Sequence, residues 1–251
     1  MKLLVWTPFV YNKKGFLRDN EGNPYIPGKL IKTAIADAMV YYYTKKDKEI
    51  ENLIKTYLLK LKTFNFEEVA KEVRKKVYEK YSYLQNIRIP EKIYLPEKEI
   101  YKETIEVFDL EKWMDVEDFK TEVFKGVIEI ESNLPEPEKI KSACHSFCEA
   151  LLKMEMSMLK EHPLVETFYQ PYLNKIKTWQ LPLRLGWWTK ETRKARLLFF
   201  WRIKEVREFI LKKFKIDIQI RYIFFSPREH ASVGWGEIQP LTNKICQIFR
   251  F

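Results

Sequence analysis

The sequence contains only three histidines and three cysteines in 251 residues. Three cysteines cannot build a disulfide framework, and His145, His162 and His230 stand apart from one another. No Ser-His-Asp or His-Glu-x-x-His pattern is present, and the G-x-x-x-x-G-K-[ST] spacing of a P-loop is missing. The sequence thus carries no serine-hydrolase, zincin or P-loop signature. No uncharged apolar run reaches 18 residues, so no transmembrane helix is indicated. The opening stretch MKLLVWTPFVYNKKG has too short an apolar run for a signal peptide and no small-residue cleavage site. No short repeat or low-complexity segment interrupts the chain. The expectation is a cytoplasmic protein with no membrane partner, no cofactor and no metal.

What is present is positive charge and aromatic surface. The formal net charge is +10 and the isoelectric point about 9.2. A balance of that size favours a polyanionic partner, nucleic acid before an anionic membrane. Apolar residues make up 46% of the chain, enough for a sizeable core, and aromatics 15%. Part of that aromatic content belongs to the core, and part can serve as stacking surface for bases.

Patterning along the chain predicts an α+β protein. KLLVWTPFVY reads as a first strand, and the polar cluster Asp19 to Pro24 reads as a hairpin turn. A helix follows Pro27-Gly28, with Leu30, Ile31, Ala34, Ile35, Ala38 and Tyr42 at helical spacing. Residues 45–85 form a Lys/Glu-rich block of two amphipathic helices. One is marked by Ile50, Leu53, Ile54, Tyr57, Leu58 and Leu61, the other by Val69, Val73, Val77 and Tyr81. This block reads as a helical insertion. IRIPEKIYLPEKE, with two prolines, is a linker or sheet edge. Two alternating strands follow, then a long helix over about 137–160, a basic loop over 178–196, a helix reaching Lys215, and closing strands. The order suits ferredoxin-like (RRM-like) units, with an antiparallel sheet and helices on one face. The expected organisation is one domain over 1–251, with a second, degenerate ferredoxin-like half over 101–251 as an option.

Three stretches carry candidate chemistry. In NPYIPGKLIK a Pro-Gly turn meets a helix start, where free N–H groups and the helix dipole attract phosphate. Gly28 permits close approach, and Lys29 and Lys32 add charge. The alternative is an ordinary strand-to-helix turn with solvated lysines. In LRLGWWTKETRKAR, the cations Arg184, Lys190, Arg193, Lys194 and Arg196 surround Gly186, Trp187 and Trp188. Cations interleaved with aromatics suit a single strand, because charge holds phosphates while rings stack on bases. The alternative is a helix start with one Trp in the core and a solvated basic face. In FFSPREHASVGWGEIQP, Arg228 and His230 precede Gly234-Trp235-Gly236, a Gly-x-Gly opening onto a strand. Cys144 and Cys148 share the apolar face of their helix and read as core side chains.

Together these stretches resemble one family. YIPGKLIKTAI, the basic loop LPLRLGWWTKETRK and GWGEIQ are similar to motifs of the RAMP superfamily, the repeat-associated RNA-binding proteins of CRISPR effector complexes in antiviral defense. TPF near the start, and VFKGVIEIESNLPEPEKI before the long helix, look most like the Csm-type subunit that caps the crRNA 3′ side in type III-A complexes. The resemblance implies crRNA and other effector-complex subunits as partners. It places RNA on Gly28, Lys29, Lys32, Arg184, Gly186, Trp187, Trp188, Lys190, Arg193, Lys194, Arg228, Gly234 and Trp235. Binding and not catalysis is the reading. The alternative is a metal-independent CRISPR repeat-processing endoribonuclease, for which His230 is the candidate acid or base. A third class is a protein whose basic face docks on an acidic subunit.

Overall fold

The computed structural model describes residues 1–185, 202–216 and 222–240. Its centre is a seven-stranded sheet, antiparallel throughout, in the order β7-β10-β1-β6-β5-β8-β9. Here β1 is Lys2–Phe9, β5 Ile100–Asp109, β6 Met114–Glu129, β7 Leu181–Arg184, β8 Tyr222–Ser226, β9 Ala231–Ser232 and β10 Trp235–Gln239. The inner four strands, β10-β1-β6-β5, hold the fourth, first, third and second places of a ferredoxin-like unit. A helical crossover follows β1 and another follows β6. The outer strands extend this same sheet, so residues 101–239 contribute their strands to the sheet that contains β1.

A small sheet, β2-β3-β4, caps the first crossover. It is built from β2 (Leu17–Arg18), β3 (Pro24–Pro27) and β4 (Lys92–Tyr94). The expected hairpin therefore forms, and the proline-flanked β4 lies on an edge, where the missing N–H groups cost no ladder bonds. Helix α1 (Lys29–Lys46) leaves β3 and packs against α4 (Pro137–Leu159). Their apolar stripes, Ile31, Ile35, Ala38 and Met39 against Ile140, Cys144, Phe147 and Leu151, lie in the core. Cys144 and Cys148 are fully buried, and the Cys148 thiol donates to the Pro182 carbonyl at 3.5 Å.

Two further helices, α2 (Lys48–Leu59) and α3 (Phe66–Lys80), occupy the Lys/Glu-rich block. Each begins at a side-chain cap. Asp47 accepts from the amides of Glu49 and Ile50, and Asn65 from those of Glu67 and Glu68. The i, i+4 stripes Ile50, Ile54, Leu58 and Val69, Val73, Val77 are buried. Leu53, expected on the apolar face, is 45% exposed, because it lies to one side of that row, about 100° around the helix from Ile54.

One expectation needs correction. The stretch 181–184 is not loop but the edge strand β7, paired with β10 through Trp235↔Arg184 and Ile238↔Leu181. All four of its residues are buried, so no polar-apolar alternation signals it. The sheet face that carries Trp6 has aromatic packing of its own. Trp6 points away from Val5, and Trp179 stacks on it at 6.0 Å between ring centroids. The short helix α5 (Gln170–Lys175) brings Lys175 to 5.0 Å from the Trp6 ring. The predicted last strand, 244–251, lies outside the described residues.

Candidate nucleic-acid interface

Gly28 is the N-cap of α1, with φ −59° and ψ −21°, and no side chain caps the helix. Its conformation does not require glycine, but its surroundings do. A Cβ on Gly28 would sit 1.8 Å from the Pro90 carbonyl oxygen and 3.0 Å from Ile89 Cγ2. The Gly28 amide also donates to the Glu91 carbonyl at 2.8 Å. A close approach at this glycine is therefore made by the chain's own segment leading into β4, and the Gly28 amide is taken by the Glu91 carbonyl. Lys29 and Lys32 remain exposed on the first turn of α1. That turn carries no acidic residue, so its positive dipole end and both ammonium groups act together.

Arg184 is corrected from an RNA contact to a core residue. It is 3% exposed, and its Nη1 donates to Glu155 Oε2 at 3.1 Å. Its Nη2 donates to Ser232 Oγ, and the guanidinium lies 4.3 Å from the centre of the Trp235 ring. Tyr169 donates its hydroxyl to the same Glu155 oxygen at 2.7 Å. Burial drives the Tyr169 hydroxyl far above its ordinary range, and the Glu155 charge adds to this. A charge this deep is kept by its carboxylate partner, because an unpaired one costs several kcal/mol.

Trp235 is likewise corrected. It is fully buried, so it has no face to offer a base. Gly234 is buried as well and has φ +83°, the left-handed region that glycine enters without strain. Its amide donates to the Pro8 carbonyl at 2.8 Å, and its carbonyl accepts from the Leu185 amide at 2.7 Å. This glycine thus ties the ends of β1, β7 and β10 into one knot. Gly236, in the same motif, has a packing role. A Cβ there would meet the Leu4 carbonyl oxygen at 2.5 Å.

Arg228 and His230 are exposed on the turn between β8 and β9. The Arg228 guanidinium lies 4.8 Å from the centre of the Tyr101 ring. His230 has φ +47° and, among the described residues, makes no side-chain hydrogen bond. The other two histidines are engaged elsewhere. His145 Nε2 lies 2.9 Å from the Trp179 carbonyl, and His162 packs on Phe108 at 4.9 Å.

Gly186, Trp187, Trp188, Lys190, Arg193 and Lys194 lie outside the described residues, but both flanks of their stretch are described. On the near side, Leu185 is held in the Gly234–Pro8 knot at the C-terminal end of β1. On the far side, Arg202 pairs with Glu51 of α2 at 3.7 Å. There α6 (Lys204–Phe214) docks on the helical block. Lys55 pairs with Glu205, the Lys213 ammonium donates to the Leu61 carbonyl at 2.6 Å, and Phe64 meets Phe214 at 5.7 Å. No signal in the sequence announced this link between the α2–α3 block and the end of the basic stretch.

No family model matches the sequence. Among solved structures, the chain resembles a chain of the cryo-EM structure of a Csm–crRNA–target RNA ternary complex of a type III-A CRISPR-Cas system. The TM-score is 0.60 and the identity 13%, covering 89% of this chain and 75% of that one. It also resembles the crystal structure of T. onnurineus Csm5, with TM-score 0.54 and 14% identity over 90% and 73% of the two chains. The protein thus shares its fold with these two chains. It belongs to the same family as an uncharacterized protein of Aquifex aeolicus (strain VF5), to which it is 39% identical over 240 residues, 95% of this chain and 99% of that protein.

Proposed function

We propose that the chain is an RNA-binding subunit of a type III CRISPR effector complex that holds crRNA along its basic stretch. The observation that carries this reading is the placement of the residues that flank the basic stretch, Leu185 on the sheet and Arg202 on α2. Lys190, Arg193 and Lys194, which follow Leu185 in the sequence, supply the phosphate contacts in this reading. Trp187 or Trp188 supplies a stacking face, and Lys29 and Lys32 extend the positive surface at the start of α1. The Csm-type fold supports the same assignment, as does the net charge of +10. Gly28, Arg184, Gly234 and Trp235 support the surface from within and do not touch RNA.

Electrophoretic shifts with crRNA at two salt concentrations test this. Arg193→Ala with Lys194→Ala should weaken binding at every sequence and flatten the salt slope by about two. Trp187→Ala should weaken binding with the slope nearly unchanged, because stacking releases no counterions. Wild-type affinity and slope in the double variant would remove the basic stretch from the interface. Metal-free cleavage of repeat RNA, lost on His230→Ala, would replace this reading with the endoribonuclease one.

A further inference from the structure

Strands β5 and β6 form a long hairpin whose pairing runs on past Phe9↔Phe124, the last pair that β6 makes with β1. Its tip breaks the chain's general rule of charge. Residues 106–118 contain six carboxylates and one lysine, in a protein of net charge +10. Glu106 and Asp118 sit directly opposite each other across the strands, a like-charge pair that destabilises a sheet. Among the described residues no cation pairs with Glu106, Asp115 or Asp118, while Glu117 is matched by Lys13.

The same tip exposes apolar side chains. Trp113 is 44% exposed, Met114 54% and Val116 38%. Below them lies a cleft of about 700 Å³ lined by Leu110, Glu111, Trp113, Lys160, Glu161, His162 and Pro163. The tip is held in one shape. The Asp109 carboxylate is buried and accepts from the amides of Glu111 at 2.9 Å and Lys112 at 3.1 Å. Trp113 itself has φ +55° and packs edge-on against Phe108 at 5.3 Å.

We infer that the hairpin tip and the cleft beneath it form a docking surface for a protein segment that carries lysine or arginine beside an apolar side chain. Exposed aromatic and Met residues ringed by carboxylates match such a segment in both shape and charge. A polyanion is repelled by the same carboxylates, so this face is not part of the RNA surface. The tip's preset geometry lowers the ordering cost of association. The inference is independent of the RNA reading, because it uses none of the residues assigned to crRNA.

The probe is a short fluorescein-labelled peptide of lysines carrying two leucines, titrated against the full chain by fluorescence anisotropy. Saturable binding is expected, weakened at least tenfold by Trp113→Ser with Met114→Ser and by Asp115→Lys with Asp118→Lys. Trp113→Phe should keep most of the affinity, and a peptide with glutamate in place of lysine should not bind. These side chains are exposed, and a retained cooperative thermal unfolding transition in each variant confirms an intact fold. Crude crRNA affinity, measured on the same variants, should not fall. Equal binding of the peptide to wild type and tip variants would overturn the proposal. So would a loss of crRNA affinity in Trp113→Ser with Met114→Ser, or a tip-dependent dimer in sedimentation, which would make a second copy the occupant. Failure of the Arg193 and Lys194 experiment would leave the peptide result untouched.

Discussion

Arg184 and Glu155 form an ion pair at 3.1 Å with both residues at 3% exposure or less. One stands at the end of β7 and the other on α4, so the pair locks the long helix to the strand from which the basic stretch departs.

Removing one partner leaves the other charge buried alone. Arg184→Ala should therefore lower stability by about 3–5 kcal/mol, read as a fall in denaturation midpoint. Arg184→Met combined with Glu155→Leu should recover much of that loss, because the buried charge disappears with its partner. A double variant no more stable than Arg184→Ala would show that the pair does not act as a unit.

Gly28→Ala tests the closeness of Pro90. The added methyl must displace the backbone carbonyl 1.8 Å away, and overpacking of this kind costs about 1–3 kcal/mol. The expected outcome is a lower unfolding midpoint. Unchanged stability would mean that the space above Gly28 is free.

Lys29→Ala with Lys32→Ala should leave stability within about 0.5 kcal/mol of wild type, since both side chains are exposed. The slope of log affinity for crRNA against log salt should flatten by about two. An unchanged slope would return both lysines to the solvated surface.

The Asp47 cap predicts an acid-sensitive helical block. Burial raises its carboxyl, but hydrogen bonds from Tyr81, Lys80 and the Ile50 amide outweigh this and hold it at about 2, below the ordinary 3.8. A folded-state value below the unfolded one stabilises above about pH 4 and fades as pH falls toward 2. Helical circular dichroism should lose stability across that window in wild type. Asp47→Asn should flatten this dependence while keeping the cap, whereas Asp47→Ala should cost about 0.5–2 kcal/mol near neutral pH.

Much of the fold was legible because its signals are local. The 3–4 spacing from Ile140 to Met154 gives the helix observed over Pro137–Leu159, and the polar cluster from Asp19 gives the β2–β3 hairpin. The strand β7 was not legible, since four buried positions in a row carry no alternation. The site was read less completely, for one physical reason. A glycine or an arginine announces a need without naming what meets it. Gly28 needs room for a close neighbour, and that neighbour is Pro90. Arg184 needs an anion, and that anion is Glu155. Both partners are remote in sequence, so charge and glycine at a turn read equally well as ligand contacts. The acidic run around Trp113 matches no motif, and its exposed apolar side chains required the hairpin to be seen.

The pairing of β1 with β10 sets a schedule for the emerging chain. Lys2–Val5 find their partners on one side only when Gly236–Gln239 exist, although β6 can cover the other side once Glu129 is made. At about 5–20 residues per second on the ribosome, the interval is roughly 5–20 s. Throughout it one edge of β1 carries unpaired backbone groups, the template on which strands of other nascent chains add. Production of this protein should therefore depend on synthesis rate and on chaperones that shield strand edges, more than its finished stability suggests.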